Sequence, residues 1–153
     1  MIDGIPLHPL AAHFGVVLTL LAAGALLVAA LLPRFRDWLG WGLPTAGIVA
    51  AGAARLTQSF GEMLQESAPA YQTAAVHEHA ELGELVGSTT IGLALVSVLL
   101  WATTSAYARR RWTGSWPAWV RTGAVVLSVV VSVVVIVVVT LAGHSGAAAV
   151  WRG

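Results

Sequence analysis

This sequence predicts an all-α, polytopic membrane protein: a four-helix transmembrane bundle with both termini on the outer side. Three observations carry that prediction. Only 10% of the residues are charged while 58% are hydrophobic, and mean hydropathy is +0.81, whereas a soluble domain is about a quarter charged. The apolar residues are gathered into long runs. Arginine, which supplies all the basic side chains, is confined largely to alternate connections between those runs.

A helix needs about 20 mostly apolar residues to cross the hydrocarbon core. The first run, 9–32, meets this without a charge and stops at Pro33-Arg34. It has only Asp3 before it and no basic n-region, and it is long for a signal sequence, so it is expected to be retained. The second run, 38–61, is the weakest, interrupted by Arg55 and rich in glycine. The third helix is predicted over 69–108, with Pro69 at its start, Ser67 nearby as a cap, and its uncharged part beginning at Leu85. The fourth, 119–142, holds the run VVLSVVVSVVVIVVV. Valine favours strands in soluble proteins, but the uninterrupted length points to a membrane helix. Residues 1–153 thus form a single domain.

Orientation follows from the arginines, which favour the cytoplasmic side. Arg34 and Arg36 lie between the first two helices, and Arg109, Arg110 and Arg111 between the last two, with Arg121 just inside the fourth. The connection from the second to the third carries Glu62, Glu66, Glu78, Glu81 and Glu84 and no basic residue, so it faces outward. This places all five histidines on the outer side. His8 and His13 open the first helix, His77 and His79 precede the apolar part of the third, and His144 closes the fourth. Counting about 20 residues from the cytoplasmic ends sets His13 near the outer boundary of the hydrocarbon and His144 just beyond it. His79 then stands about two turns outside.

His77 and His79 are two apart and point to opposite sides of a helix. His79 shares its face with Gly83, Gly87 and Thr90, a small-residue stripe suited to close helix packing, and is expected to point inward. His77 lies with Glu81, Glu84 and Ser88, where Glu81 is a candidate partner. Arg55 is the one charge well inside an apolar segment and requires a partner, for which Glu62 and Glu84 are the candidates. It is either half of a structural ion pair or a contact for a bound carboxylate.

Three stretches resemble a family of small bacterial four-helix membrane proteins catalogued as a domain of unknown function. They are the opening GIPLHPLAAHF, the HAELG at His79–Gly83 with Gly61-Glu62 before it, and the closing LAGHSGAAAVW. The resemblance implies the four-helix topology and a bacterial cytoplasmic membrane. It places His8, His13, His79, His144 and Glu62 at motif positions, with His77 outside them. Some relatives are fused to Rieske-type iron–sulfur domains, which implies an electron-transfer setting and a redox partner protein.

The histidines admit several readings. A haem b takes two imidazoles from facing helices and an arginine for a propionate; His13, His79, His144 and Arg55 are the candidates. A transition-metal ion would use His8, His13, His77, His79 and His144 with Glu62 or Glu81. A quinone-like small molecule is a third ligand. Without any ligand, the histidines would serve local hydrogen bonds in a non-catalytic accessory or assembly subunit.

Other classes are weaker. The absence of cysteine removes disulfides, thiolate metal sites and iron–sulfur ligation. A net charge of +1 with scattered arginines offers no nucleic-acid surface. The midplane supplies only Thr19, Ser97, Ser128, Ser132 and glycines, which argues against an ion-coupled transporter, and four such helices form a pore only if several chains assemble. No nucleophile or phosphate-loop motif names a reaction. The expected partners are therefore the lipid bilayer, a redox protein and a second copy of the chain.

Overall fold

The computed structural model describes residues 7–67, 73–113 and 115–151, with side chains described for 11–66, 73–111 and 115–148. All regular structure among these residues is helical: α1 (Leu7–Leu31), α2 (Pro33–Leu39), α3 (Gly42–Ser67), α4 (Ala74–Thr104), the single turn α5 (Ala106–Ala108) and α6 (Ala118–Trp151). The four long helices form a ring in which α1 packs on α3, α3 on α4, α4 on α6, and α6 back on α1. Neighbours run antiparallel. Gly47 of α3 meets Ala94 and Ser97 of α4 near one end, while Gln58 meets Gly87 nearer the other.

Sequence chemistry accounts for the breaks. Pro33 lacks an amide hydrogen and so cannot extend α1; it instead occupies the first turn of α2. Gly40, at φ +50°, closes α2 with its N–H on the Arg36 carbonyl at 3.1 Å. Thr73 starts α4, its hydroxyl accepting from the Val76 amide at 3.3 Å. Ser105 ends α4 and caps α5, after which Arg109–Thr113 form a π-helical turn.

The bundle buries hydroxyls within an apolar core and is apolar on the outside as well. Among the described residues six hydroxyl side chains are buried: Thr19, Thr90, Ser97, Thr103, Ser128 and Ser132. Four of them donate to carbonyls of the preceding turn, so they need no water: Thr90 to Val86, Ser97 to Leu93, Thr103 to Leu99 and Ser128 to Ala124. Around them Leu26, Leu43, Leu93, Leu100, Val135 and Val139 fill the centre between alanines. Phe14, Leu21, Leu31, Leu95, Val130 and Val137 lie exposed on the outside. Three helices are long and apolar enough to cross a membrane, within Ala11–Leu31, Ala74–Thr104 and Ala118–Ala148, and only 39, 44 and 33% of their most apolar windows is buried. Hydrocarbon turned outward over so much of each helix needs a lipid solvent.

The helices differ from expectation at their ends. The predicted 9–32, 38–61, 69–108 and 119–142 become 7–31, 42–67, 74–104 and 118–151. Arg34, Arg36 and Trp38 fall in the separate helix α2, because Gly40 breaks the chain before α3. Pro69 lies outside the described residues, and the cap of α4 is Thr73 in place of Ser67. Helix α6 runs on past Gly143, so His144 sits within it and does not close it.

Candidate functional site

The end of the ring where α3 finishes and α4 begins gathers the acidic and imidazole groups. The Thr57 hydroxyl of α3 lies 3.1 Å from the Ala11 carbonyl of α1 and 2.9 Å from the Ala53 carbonyl of its own helix, so its one proton is shared between the two helices. Gly15 makes the approach possible, since a Cβ there would stand 2.5 Å from the same hydroxyl oxygen.

One face of this end holds a chain of hydrogen bonds along α3. Arg55 Nη1 donates to Gln58 Oε1 at 3.1 Å, and Gln58 Nε2 donates to Glu62 Oε1 at 2.9 Å. The partner expected for Arg55, Glu62, is thus reached through an intervening amide, and the spacing of three and then four residues puts all three side chains on one helix face. Across the groove, Gly87 lets α4 approach, because a Cβ there would come 2.6 Å from Gln58 Oε1. Between the two helices opens a cleft of about 430 Å³ lined by Arg55, Gln58, Glu81, Glu84, Leu85 and Ser88.

On the opposite side of α4 stands His79. Its ring packs against α6, where a Cβ on Gly146 would lie 2.9 Å from Cε1, and its Nδ1 is 3.0 Å from Ser145 Oγ. Ser145 Oγ also donates to the Ala142 carbonyl at 2.9 Å. A hydroxyl has one proton, so when Ser145 gives it to the Ala142 carbonyl it accepts from Nδ1–H of His79, the tautomer that puts the ring lone pair on Nε2. The expectation that His79 is the inward histidine therefore holds.

The other histidines are arranged differently. His77 is exposed, with Nδ1 3.4 Å from Gln65 Nε2 of α3; this partner replaces the expected Glu81. His13 and His144 lie on the exposed surfaces of α1 and α6. The backbone of His8 is in the first turn of α1, and its side chain lies outside those described. Among the described residues no group of three or more histidine, aspartate or glutamate side chains is placed to hold a metal ion. The proposed ligands His13, His77, His79, His144, Glu62 and Glu81 share an end of the bundle, and among the described residues they are not gathered in a group of three or more.

Of the small-residue stripe, Gly87 is a contact and Gly83 is not: a Cβ at Gly83 would meet nothing within 4 Å. The residues that sequence reasoning passed over are Gln58, Gln65, Ser145 and Gly146. Gln58 was readable from its place between Arg55 and Glu62. The other three gain their roles only when separate helices meet.

An all-helical chain with apolar surfaces on three such helices and hydroxyls inside is a multi-pass membrane protein. It belongs to the family described as Predicted membrane protein (DUF2231), whose model matches residues 4–153. No curated protein and no solved structure matches the chain.

Proposed function

We propose that this protein is a four-helix transmembrane bundle of the bacterial cytoplasmic membrane, with both termini outside, that binds a small zwitterionic group in the cleft between α3 and α4. One observation carries the binding reading: a guanidinium and two carboxylates, from Arg55, Glu81 and Glu84, line one groove together with the Ser88 hydroxyl. An oxyanion on the ligand pairs with Arg55, of whose five donors the bond to Gln58 uses one. An ammonium on the ligand pairs with the carboxylates. The apolar flank of Leu85 and the nearby bilayer lower the dielectric and strengthen both contacts. The site contains no activated nucleophile, so the role is binding. The orientation rests on the arginine asymmetry, and it requires α3, the least apolar of the four long helices, to span with Arg55 toward the outer interface.

The test uses purified protein in detergent with phosphoethanolamine as the soluble probe and phosphatidylethanolamine as the lipid one. Saturable stabilisation by either, lost in both Arg55→Gln and Glu84→Gln, supports the reading. Failure of both probes leaves the bundle as an accessory or assembly subunit.

A second reading keeps the histidines as ligands to a haem b or a transition-metal ion in electron transfer, with Arg55 beside a propionate and a redox protein as partner. The contact of His79 Nδ1 with Ser145 Oγ favours it, because an Nδ1–H held by that oxygen orients the imidazole for ligation through Nε2. It requires His13 and His144 to turn inward from their exposed positions.

A further inference from the structure

The opposite end of the bundle collects positive charge. Arg34, Arg36, Arg109, Arg110, Arg111 and Arg121 all lie there, and Asp37 is the acidic residue on the same connections. Three of these arginines come from three different elements, Arg36 from α2, Arg109 from the π-helical turn and Arg121 from α6. They line one cleft of about 280 Å³ together with Thr104, Thr122, Val125 and Ala118 of the first turn of α6. No carboxylate lines this cleft among the described residues.

Arg36 and Arg109 are oriented by backbone carbonyls, and Asp37 offsets part of the Arg36 charge from outside the cleft. Arg36 Nη1 is 3.5 Å from the Ala29 carbonyl, and Arg109 Nη1 donates to the Thr104 carbonyl. Carbonyls orient a guanidinium without cancelling its charge. Arg36 Nε is buried and has no hydrogen-bond partner among the described residues. Burial pushes the Arg36 pKa down, Asp37 opposes that, and the neighbouring charge of Arg109 adds to the fall. Guanidinium nevertheless stays protonated, so the cleft concentrates positive charge that a bound oxyanion would relieve. The positive end of the α6 dipole adds to the same field.

We infer that this cleft binds a phosphate group, either the phosphodiester of an anionic lipid or free phosphate. Three forked donors around a compact cavity suit tetrahedral oxyanions. A basic pocket between helices at a membrane surface is a recurrent arrangement for lipid phosphates.

The experiment uses the full chain in detergent and in vesicles, with two probes: inorganic phosphate, and phosphatidylglycerol set against phosphatidylcholine. Thermal stabilisation and lipid retention in native mass spectrometry are read for the unaltered protein, for Arg36→Gln and for Arg121→Gln. Arg111→Gln serves as a surface-charge control outside the cleft. Stabilisation by phosphatidylglycerol alone, weakened at least about tenfold in Arg121→Gln and unchanged in Arg111→Gln, establishes a lipid phosphate as the ligand. The same pattern with inorganic phosphate establishes a soluble one. Arg121 is exposed, so its variant keeps the test sound if Arg36→Gln fails to fold. Absence of stabilisation by both probes, or equal loss in Arg111→Gln and Arg121→Gln, overturns the proposal.

Discussion

His79 and Ser145, 66 residues apart in the chain, join α4 to α6 through an Nδ1···Oγ contact of 3.0 Å. Ser145→Ala removes the hydroxyl partner of Nδ1 in a partly buried seam. A loss of about 1 kcal/mol is expected, visible as a lower melting temperature in detergent. An unchanged melt would mean that the contact contributes nothing to the seam.

Glycines at the helix crossings differ sharply in what they exclude. A Cβ on Gly47 would stand 3.0 Å from the Ala94 Cα and 2.9 Å from Ser97 Oγ, and backbone cannot swing away. Gly47→Ala should therefore destabilise by about 1–3 kcal/mol. At Gly83, where nothing lies within 4 Å, alanine should be neutral or stabilise by up to about 1 kcal/mol. Parallel melts of the two variants decide the matter, and equal losses would contradict the packing described.

Topology is open to direct labelling, because the chain contains no cysteine. A membrane-impermeant maleimide should modify Thr73→Cys in intact cells and should reach Ser115→Cys only after permeabilisation. The reverse pattern would turn the histidine end toward the cytoplasm.

The cofactor reading predicts a Soret band or stoichiometric metal in protein produced with haem and metals supplied. His13→Ala should abolish that signal without changing the helical circular dichroism. A colourless, metal-free preparation would remove haem and metal from consideration and leave the cleft at Arg55 as the site.

How much of this was legible in the residues depends on which forces set each feature. The cores of α1 and α6 could be read directly, since uncharged runs of this length have only one stable form in lipid. The start of α4 was misplaced because Ser67 and Pro69 carry the same local preference as Thr73. The hydrogen bond from the Val76 amide to the Thr73 hydroxyl marks the cap, and a sequence does not display it. The end of α6 was misplaced for a different reason. Gly143 and Gly146 look like helix stops, yet the second is glycine because the His79 ring lies against it. At the candidate site, Arg55 and its acidic neighbours were visible as types. The histidine positions were visible too, but whether their side chains converge is decided by helix rotation, which a pattern of two-apart residues leaves open.

The contact of α1 with α6 makes the ring a matter of timing as well as of shape. As the chain emerges, α1, α3 and α4 can assemble as a trough, but one wall is missing until the 34 residues of α6 arrive. During that interval, faces of α1 and α4 that end up packed on α6 must face lipid or a helper protein. On α1 and α6 the buried hydroxyls of Thr19 and Ser132 find no hydrogen-bond partner among the described residues even in the closed ring. The last helix to arrive is thus the one that closes the ring, and a chain cut short before α6 would leave the facing sides of α1 and α4 unpacked.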